Sequence, residues 1–165
     1  MFKEIVRNYT LQQLDTSFFV SQLFAFGAKK PEEFTAYVKN RIRSFLENRE
    51  YSKISTDYNH IWLNPFTATE SIIPAIYYLK EQYGEVISAC KNEKMQKEVS
   101  DFFISIVEFE KENSSNAFAK LIELSSYKSK LPTILKNPLA GIINEIYSNK
   151  NKDFFAKDYR VRKMF

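Results

Sequence analysis

One stretch of eight residues, Ile72–Leu79, carries no charge and no polar group beyond two phenol hydroxyls. Residues 67–70 before it match the capping-box pattern of a helix start, and Gly84 stands where a left-handed residue would end a helix. A helix that is apolar on nearly all sides needs cover on more than one side. The pattern therefore predicts a buried central helix from about Ala68, with a kink at Pro74.

Two apolar periodicities predict helices before this stretch. The capping-box pattern at residues 10–13 predicts a helix that ends at Gly27, and Met1–Tyr9 is either part of it or a separate turn. Pro31 and the two acids after it predict the start of a second helix, which extends to about residue 50. Its apolar stripe consists of Phe34, Tyr37, Val38, Ile42, Phe45 and Leu46. Arg41 projects into this stripe, where it either lays its methylene groups along the core edge or pairs with an anion.

The second half of the chain also has a helical period. A helix from about residue 93 to 111 has a wide apolar face, which suits packing against Ile72–Leu79. Another helix follows the polar break at residues 113–115, and Pro138 is expected to begin a short last helix. Residues 51–66 have no clear period and predict an ordered loop. The sequence thus predicts an all-α, single-domain helical bundle of five to seven helices over residues 1–149, followed by a C-terminal arm, residues 150–165.

The composition fits one domain in a reducing compartment. The chain has 165 residues, of which 44% are hydrophobic, so it can bury a core without disulfides or metal. A single cysteine permits no internal disulfide. Neither a signal peptide nor an apolar run of membrane-spanning length stands out. We therefore expect a soluble, cytoplasmic protein.

Few residue types that carry catalysis are present. The sequence has one histidine, His60, and one cysteine, Cys90. We expect a loop histidine that forms hydrogen bonds and a small buried cysteine, rather than a catalytic pair. No phosphate-binding glycine loop occurs. Glu108 and Glu112 lie one helical turn apart, but neighbouring lysines indicate a solvated face of mixed charge. The sequence predicts no catalytic residue, no metal site and no cofactor, and hence a protein that is not an enzyme.

The net charge of +4 is concentrated in the C-terminal arm. Six basic and two acidic residues fall between Lys150 and Phe165, so residues 1–149 are neutral as a set. Aromatic and aliphatic side chains alternate with arginines there, which is typical of an extended segment with one apolar side. The candidate partner-binding residues of the arm are Phe154, Phe155, Tyr159, Arg160, Val161, Arg162, Lys163 and Phe165.

Three roles for this arm stay open. The arm either folds back onto the helical body, or binds a partner protein by adding a strand or lying in a groove, or binds nucleic acid. The leading hypothesis is a non-enzymatic protein–protein interaction protein, an adaptor or small subunit of a larger assembly. The alternative is a nucleic-acid-associated subunit that binds the phosphate backbone. Its candidate residues are Lys39, Arg43, Arg160, Arg162 and Lys163.

Overall fold

Seven α-helices make up most of the described part of the chain. The structure, a computed structural model, describes residues 1–16, 31–54, 72–91, 95–112 and 114–148, apart from the side chains of 15, 16, 31–36, 38 and 39. The helices are α1 (Lys3–Thr16), α2 (Pro31–Glu47), α3 (Ile72–Leu79), α4 (Tyr83–Cys90), α5 (Lys97–Glu112), α6 (Ser115–Leu124) and α7 (Thr133–Ser148). These ranges also contain a 3₁₀ turn, Tyr51–Lys53, and no strand, so the predicted all-α class is confirmed.

Helix α3 is the buried centre that the apolar run predicts. Every side chain from Ile72 to Leu79 is buried except that of Tyr77, which is half-buried. Each fully buried isoleucine or leucine contributes about 1.5–3 kcal/mol relative to an exposed one. The helix packs mainly against α1 and α4, and less against α5 than the sequence suggests. Pro74 is its third described residue, where no intrahelical N–H is required, and the predicted kink stays a prediction because Ala68 lies outside the described residues.

Helix α1 begins earlier than the capping-box pattern predicts. It runs without a break from Lys3, so Thr10 lies in its interior and is not an N-cap. The Thr10 hydroxyl is buried and donates to the carbonyl oxygen of Val6 at 2.7 Å. A threonine inside a helix satisfies its hydroxyl in this way. The predicted continuation of this helix to Gly27 lies outside the described residues.

Two helices end on a charged residue in the left-handed conformation. After α2, Arg49 has a φ of 57°, and after α3, Glu81 has a φ of 61°. At the second stop the Gln82 N–H donates to the Tyr77 carbonyl at 2.9 Å, and the Glu81 N–H donates to the Tyr78 carbonyl at 2.9 Å. This pair of bonds is a Schellman motif. The prediction of a stop at Gly84 is wrong, because Gly84 is the second residue of α4.

Helices α5 and α6 pack through aromatic side chains. The serine before α6, Ser114, accepts a hydrogen bond from the Ala117 N–H at 3.2 Å, which caps that helix. The Phe109 ring on α5 lies 6.4 Å from Phe118 on α6 and 6.0 Å from Phe2 at the start of the chain. These distances fit tilted aromatic pairs, which add stabilisation beyond the area they bury.

The last helix is longer than predicted. Helix α7 begins at Thr133, so Pro138 lies inside it rather than at its start. Proline has no N–H, so the carbonyl of Ile134 receives no helical bond from residue 138. Ile134 faces solvent, where water can satisfy that oxygen. Gly141 lets α7 approach α1 closely, because a Cβ atom there would lie 3.3 Å from Cδ1 of Ile5.

Several predictions remain without a structural outcome. The capping box at residues 67–70, most of the loop at residues 51–66 and the C-terminal arm lie outside the described residues. On α2, Ile42 and Leu46 are buried as predicted, whereas Tyr37 is exposed. Arg41 is also exposed, and its guanidinium carbon lies 5.3 Å from the centre of the Phe45 ring. No helix within the described ranges is both long and apolar enough to cross a membrane.

Candidate partner-binding surface

Most of the predicted binding residues cannot be placed. All eight candidate residues of the C-terminal arm lie outside the described part of the chain, and so does the side chain of Lys39. Arg43 is described. It is half-buried on α2, and its Nη1 donates to Oδ1 of Asn40 at 3.1 Å. One N–H of this guanidinium is therefore already used within its own helix.

The single cysteine is buried. Cys90 ends α4 with 6% of its surface exposed, and burial, assisted by the charge of Asp101, raises the pKa of its thiol to about 12. The hydroxyl of Ser100 donates to the Cys90 carbonyl oxygen at 3.0 Å, which fixes the end of α4 against α5. A thiol in this environment is not a thiolate at neutral pH. Cys90 is thus the small buried residue that the sequence predicts, whereas His60 lies outside the described residues.

The acidic residues of α5 are distributed between solvent and ion pairs. Glu108 and Glu112 are exposed beside the exposed Lys111, as the prediction of a mixed-charge face requires. Asp101 lies 3.5 Å from Nζ of Lys120 on α6. Within the described ranges, no three carboxylate, cysteine or histidine side chains are placed to share a metal ion.

A polar cluster around Glu110 joins α5 to α3 and to the start of the chain, and sequence reasoning did not find it. The buried Tyr78 hydroxyl on α3 donates to Oε1 of Glu110 on α5 at 2.6 Å and accepts from the Phe2 N–H at 3.1 Å. The Met1 amino group lies 2.5 Å from the same carboxylate oxygen. Burial raises the pKa of Tyr78 far above its ordinary value. Glu145 on α7 also has a raised pKa, because it is partly buried and lies near Glu110. These groups hold helices together, and the phenol supplies no anion for chemistry.

A second polar cluster surrounds the first turn of α1. Glu4 accepts from Nε of Arg49 at 2.6 Å and from Nη2 of Arg7 at 3.2 Å, so one carboxylate serves two guanidinium groups. The Arg49 hydrogen bond lowers the pKa of Glu4. The Tyr51 hydroxyl is buried nearby and has no hydrogen-bond partner among the described residues, and burial raises its pKa. This corner of the fold is an ion-pair network that joins α1 to the end of α2.

The outward face of α7 is distinguished by its lack of charge. Its exposed centre consists of Thr133, Asn137, Ala140, Asn144 and Ser148. Ile134 and Tyr147 flank it and are 40% and 43% exposed, and Lys136 is an exposed charge at its edge. The outward faces of α1, α5 and α6 carry charged residues, as solvated helix faces usually do. Depletion of charge is what distinguishes the centre of a protein interface from the rest of a surface.

A polar cleft of about 430 Å³ lies between α5, α6 and the loop that follows α6. Lys97 on α5, Lys120 on α6, and Lys128 and Lys130 on the loop all border it. Tyr127 on the same loop is 88% exposed. The sequence contains a signal for this surface that was not used. No acidic residue occurs between Glu123 and Glu145, a stretch that includes three exposed lysines, Lys128, Lys130 and Lys136.

Comparison with known proteins identifies no relative. No protein-family model matches the chain, and no curated protein or solved structure matches it. Its function must therefore be inferred from its own residues.

Proposed function

We propose that the chain is a non-enzymatic protein–protein interaction protein, an adaptor or small subunit of a larger assembly, and that the outward face of α7 is its contact surface. The observation that carries this proposal is the uncharged centre of that face, flanked by Ile134 and Tyr147. A solvated helix in a chain with 27% charged residues is expected to expose charges there. The small side chain of Ala140 permits the close approach of a partner helix.

The lysines before α7 and in its first turn favour an acidic partner. Lys128, Lys130 and Lys136 are exposed before and within the first half of α7, and no acidic residue lies between Glu123 and Glu145. The arm that follows α7 in sequence carries the whole net charge of the chain. Complementary charge speeds association and selects the partner, while the uncharged centre supplies the buried contact. The proposed partner is thus an acidic protein that presents an uncharged helix.

The groups that could act as nucleophiles do not favour an enzyme. The thiol of Cys90 and the phenol of Tyr78 are both buried, and burial raises the pKa of each. Neither forms an anion near neutral pH, which nucleophilic catalysis would require.

The test is co-purification from the native host with charges placed on the outward face of α7. Ala140→Glu and Asn144→Lys are expected to abolish capture of a protein that wild type retains, because a charge buried in an interface without a partner is costly. Asn8→Lys makes the same change on the outward face of α1 and is the matched control. All three variants should keep the thermal midpoint of wild type, since the altered side chains are exposed.

The captured protein must then bind the purified chain directly, and the Ala140→Glu variant must bind it at least tenfold more weakly. Equal capture by wild type and both α7 variants would refute the proposed surface. A wild-type dimer that Ala140→Glu converts to a monomer would show that the face binds a second copy instead. Deletion of residues 153–165 separates the roles of the arm. Lost capture at an unchanged thermal midpoint supports partner binding, whereas a large loss of stability supports fold-back.

A further inference from the structure

The cleft between α5, α6 and the following loop contains more positive charge than its own carboxylates neutralise. Lys120 is the shared partner of Asp101 at 3.5 Å and Glu123 at 3.7 Å. Lys97, Lys128 and Lys130 make no ion pair with any described residue. Three carboxylates border the cleft beside its four lysines, and all three lie on the α5 and α6 sides: Glu98, Asp101 and Glu123. The charged side chains on the loop side are both lysines.

Hydrogen bonds fix the backbone of this loop, while its lysine side chains form no ion pair with a described residue. The Ser126 hydroxyl oxygen accepts from the Lys128 N–H at 3.3 Å, and the Ser129 N–H donates to the Ser126 carbonyl at 2.9 Å. Nε2 of Gln96, beside the start of α5, donates to the Lys130 carbonyl at 2.8 Å. A loop held in this way presents its charges at a low cost in ordering entropy.

Tyr127 places an aromatic ring beside Lys128, at the edge of the cleft. The ring is 88% exposed, and Nζ of Lys128 lies 5.7 Å from its centre. Such exposure gives up the stabilisation that burial of a large aromatic side chain supplies. A solvent-facing ring next to unpaired lysines is the arrangement with which proteins stack a base and hold its phosphate.

We propose that this cleft and Tyr127 form a binding site for phosphate esters that carry a planar base. Lys128 and Lys130 hold the phosphates on the loop side, Lys97 adds charge from α5, and Tyr127 stacks on the base. The ligand is either single-stranded nucleic acid or a free nucleotide. The site uses described residues outside the C-terminal arm. It shares Lys128 and Lys130 with the charges that favour an acidic partner, but it does not use the uncharged face of α7.

The test measures binding of the full-length chain to a fluorescent single-stranded oligonucleotide of about 12 nucleotides at several salt concentrations. Tyr127→Ala is expected to weaken binding about tenfold, whereas Tyr127→Phe keeps the stacking face and should keep the affinity. The double variant Lys128→Ala/Lys130→Ala should lower the salt slope by about 0.7 for each phosphate contact removed. Lys111→Ala is the matched control, because Lys111 is exposed on α5 but lies ten residues beyond Asp101, about 15 Å along the helix.

Further experiments identify the ligand and exclude binding through the C-terminal arm. Competition by a mononucleotide at concentrations similar to those of the oligonucleotide assigns the site to a nucleotide, and its failure to compete assigns it to nucleic acid. The effect of Tyr127→Ala should persist when Arg160, Arg162 and Lys163 are all changed to Ala. No binding by wild type at low salt, an unchanged affinity in Tyr127→Ala, or displacement by an acidic peptide in preference to nucleotides would overturn the proposal.

Discussion

The hydroxyl of Tyr78 donates a hydrogen bond of 2.6 Å to Glu110, and the same hydroxyl accepts one from the Phe2 N–H. Tyr78→Phe removes both bonds and leaves the Phe2 N–H with only its longer contact to Oε1 of Glu110, at 3.4 Å. A hydrogen bond contributes about 0.5–1.5 kcal/mol net, so the loss of two should lower the free energy of unfolding by urea by about 1–3 kcal/mol. Tyr127→Phe removes a hydroxyl from an exposed ring and is the matched control. Equal stability of the two variants would contradict this role for Tyr78.

The Cys90 thiol should react only when the chain unfolds. Burial raises its pKa to about 12, whereas an unfolded cysteine has its ordinary value of 9.0. A thiol-specific chromogenic reagent at about pH 8 should therefore label the denatured chain within minutes and the native chain far more slowly. Cys90→Ala measures the background. Native labelling as fast as denatured labelling would show that the thiol is accessible.

The ion pairs of Glu4 should add an acid-dependent part to stability. Its pKa is lowered, chiefly by the hydrogen bond from Arg49, so the native state favours the charged carboxylate. The resulting stabilisation is fully present at a pH above 4.5, the pKa of Glu4 in the unfolded chain, and it is lost as the pH falls through the pKa of Glu4 in the folded chain. Glu4→Gln should thus lower the thermal midpoint at neutral pH, with a difference that disappears in acid. Glu47→Gln removes an exposed carboxylate from α2 and is the matched control.

The two described glycines should respond differently to alanine. Gly84 lies in α4 with nothing within 4 Å of its missing Cβ, so Gly84→Ala should stabilise the chain by about 0.5–1 kcal/mol through helix propensity. At Gly141 the added Cβ would lie 3.3 Å from Cδ1 of Ile5 and would push on the α1–α7 contact. Gly141→Ala should therefore gain less or lose stability. Denaturant unfolding of both variants measures the difference, and a larger gain at Gly141 would refute the close packing.

The presence of a helix and its burial could be predicted where the sequence is apolar without interruption. Ile72–Leu79 could only be buried because it offers no polar face, and the structure confirms a helix with seven of its eight side chains buried. Helix ends were harder to predict, because the same residue types occur inside helices and at their ends. Thr10 bonds to the carbonyl of its own helix, Pro138 lies inside α7, and Glu81 takes the left-handed position that glycine usually occupies.

The candidate site could not be predicted from the sequence, because it depends on where the helices end and on contacts between residues distant in sequence. The uncharged face of α7 becomes visible only when the helix begins at Thr133, because a start at Pro138 removes its first turn from the projection. The bond between Tyr78 and Glu110 joins residues 32 positions apart, and nothing local to either residue indicates it. The cleft likewise forms from two stretches that are distant in sequence, residues 97–101 and residues 120–130. The acid-free stretch after Glu123 was the one signal in the sequence that could have indicated this region.

The first turn of α1 carries two opposite charges, and each pairs with a residue just after the end of another helix. Lys3 pairs with Glu81 after α3, and the next residue, Glu4, pairs with Arg49 after α2. If α1 were seated with its direction reversed, or rotated about its axis, these attractions would be lost or replaced by repulsion. Each pair is exposed and adds little stability by itself. Together they disfavour alternative arrangements of the helices. Apolar contacts alone discriminate less well between such arrangements, because one apolar side chain can replace another.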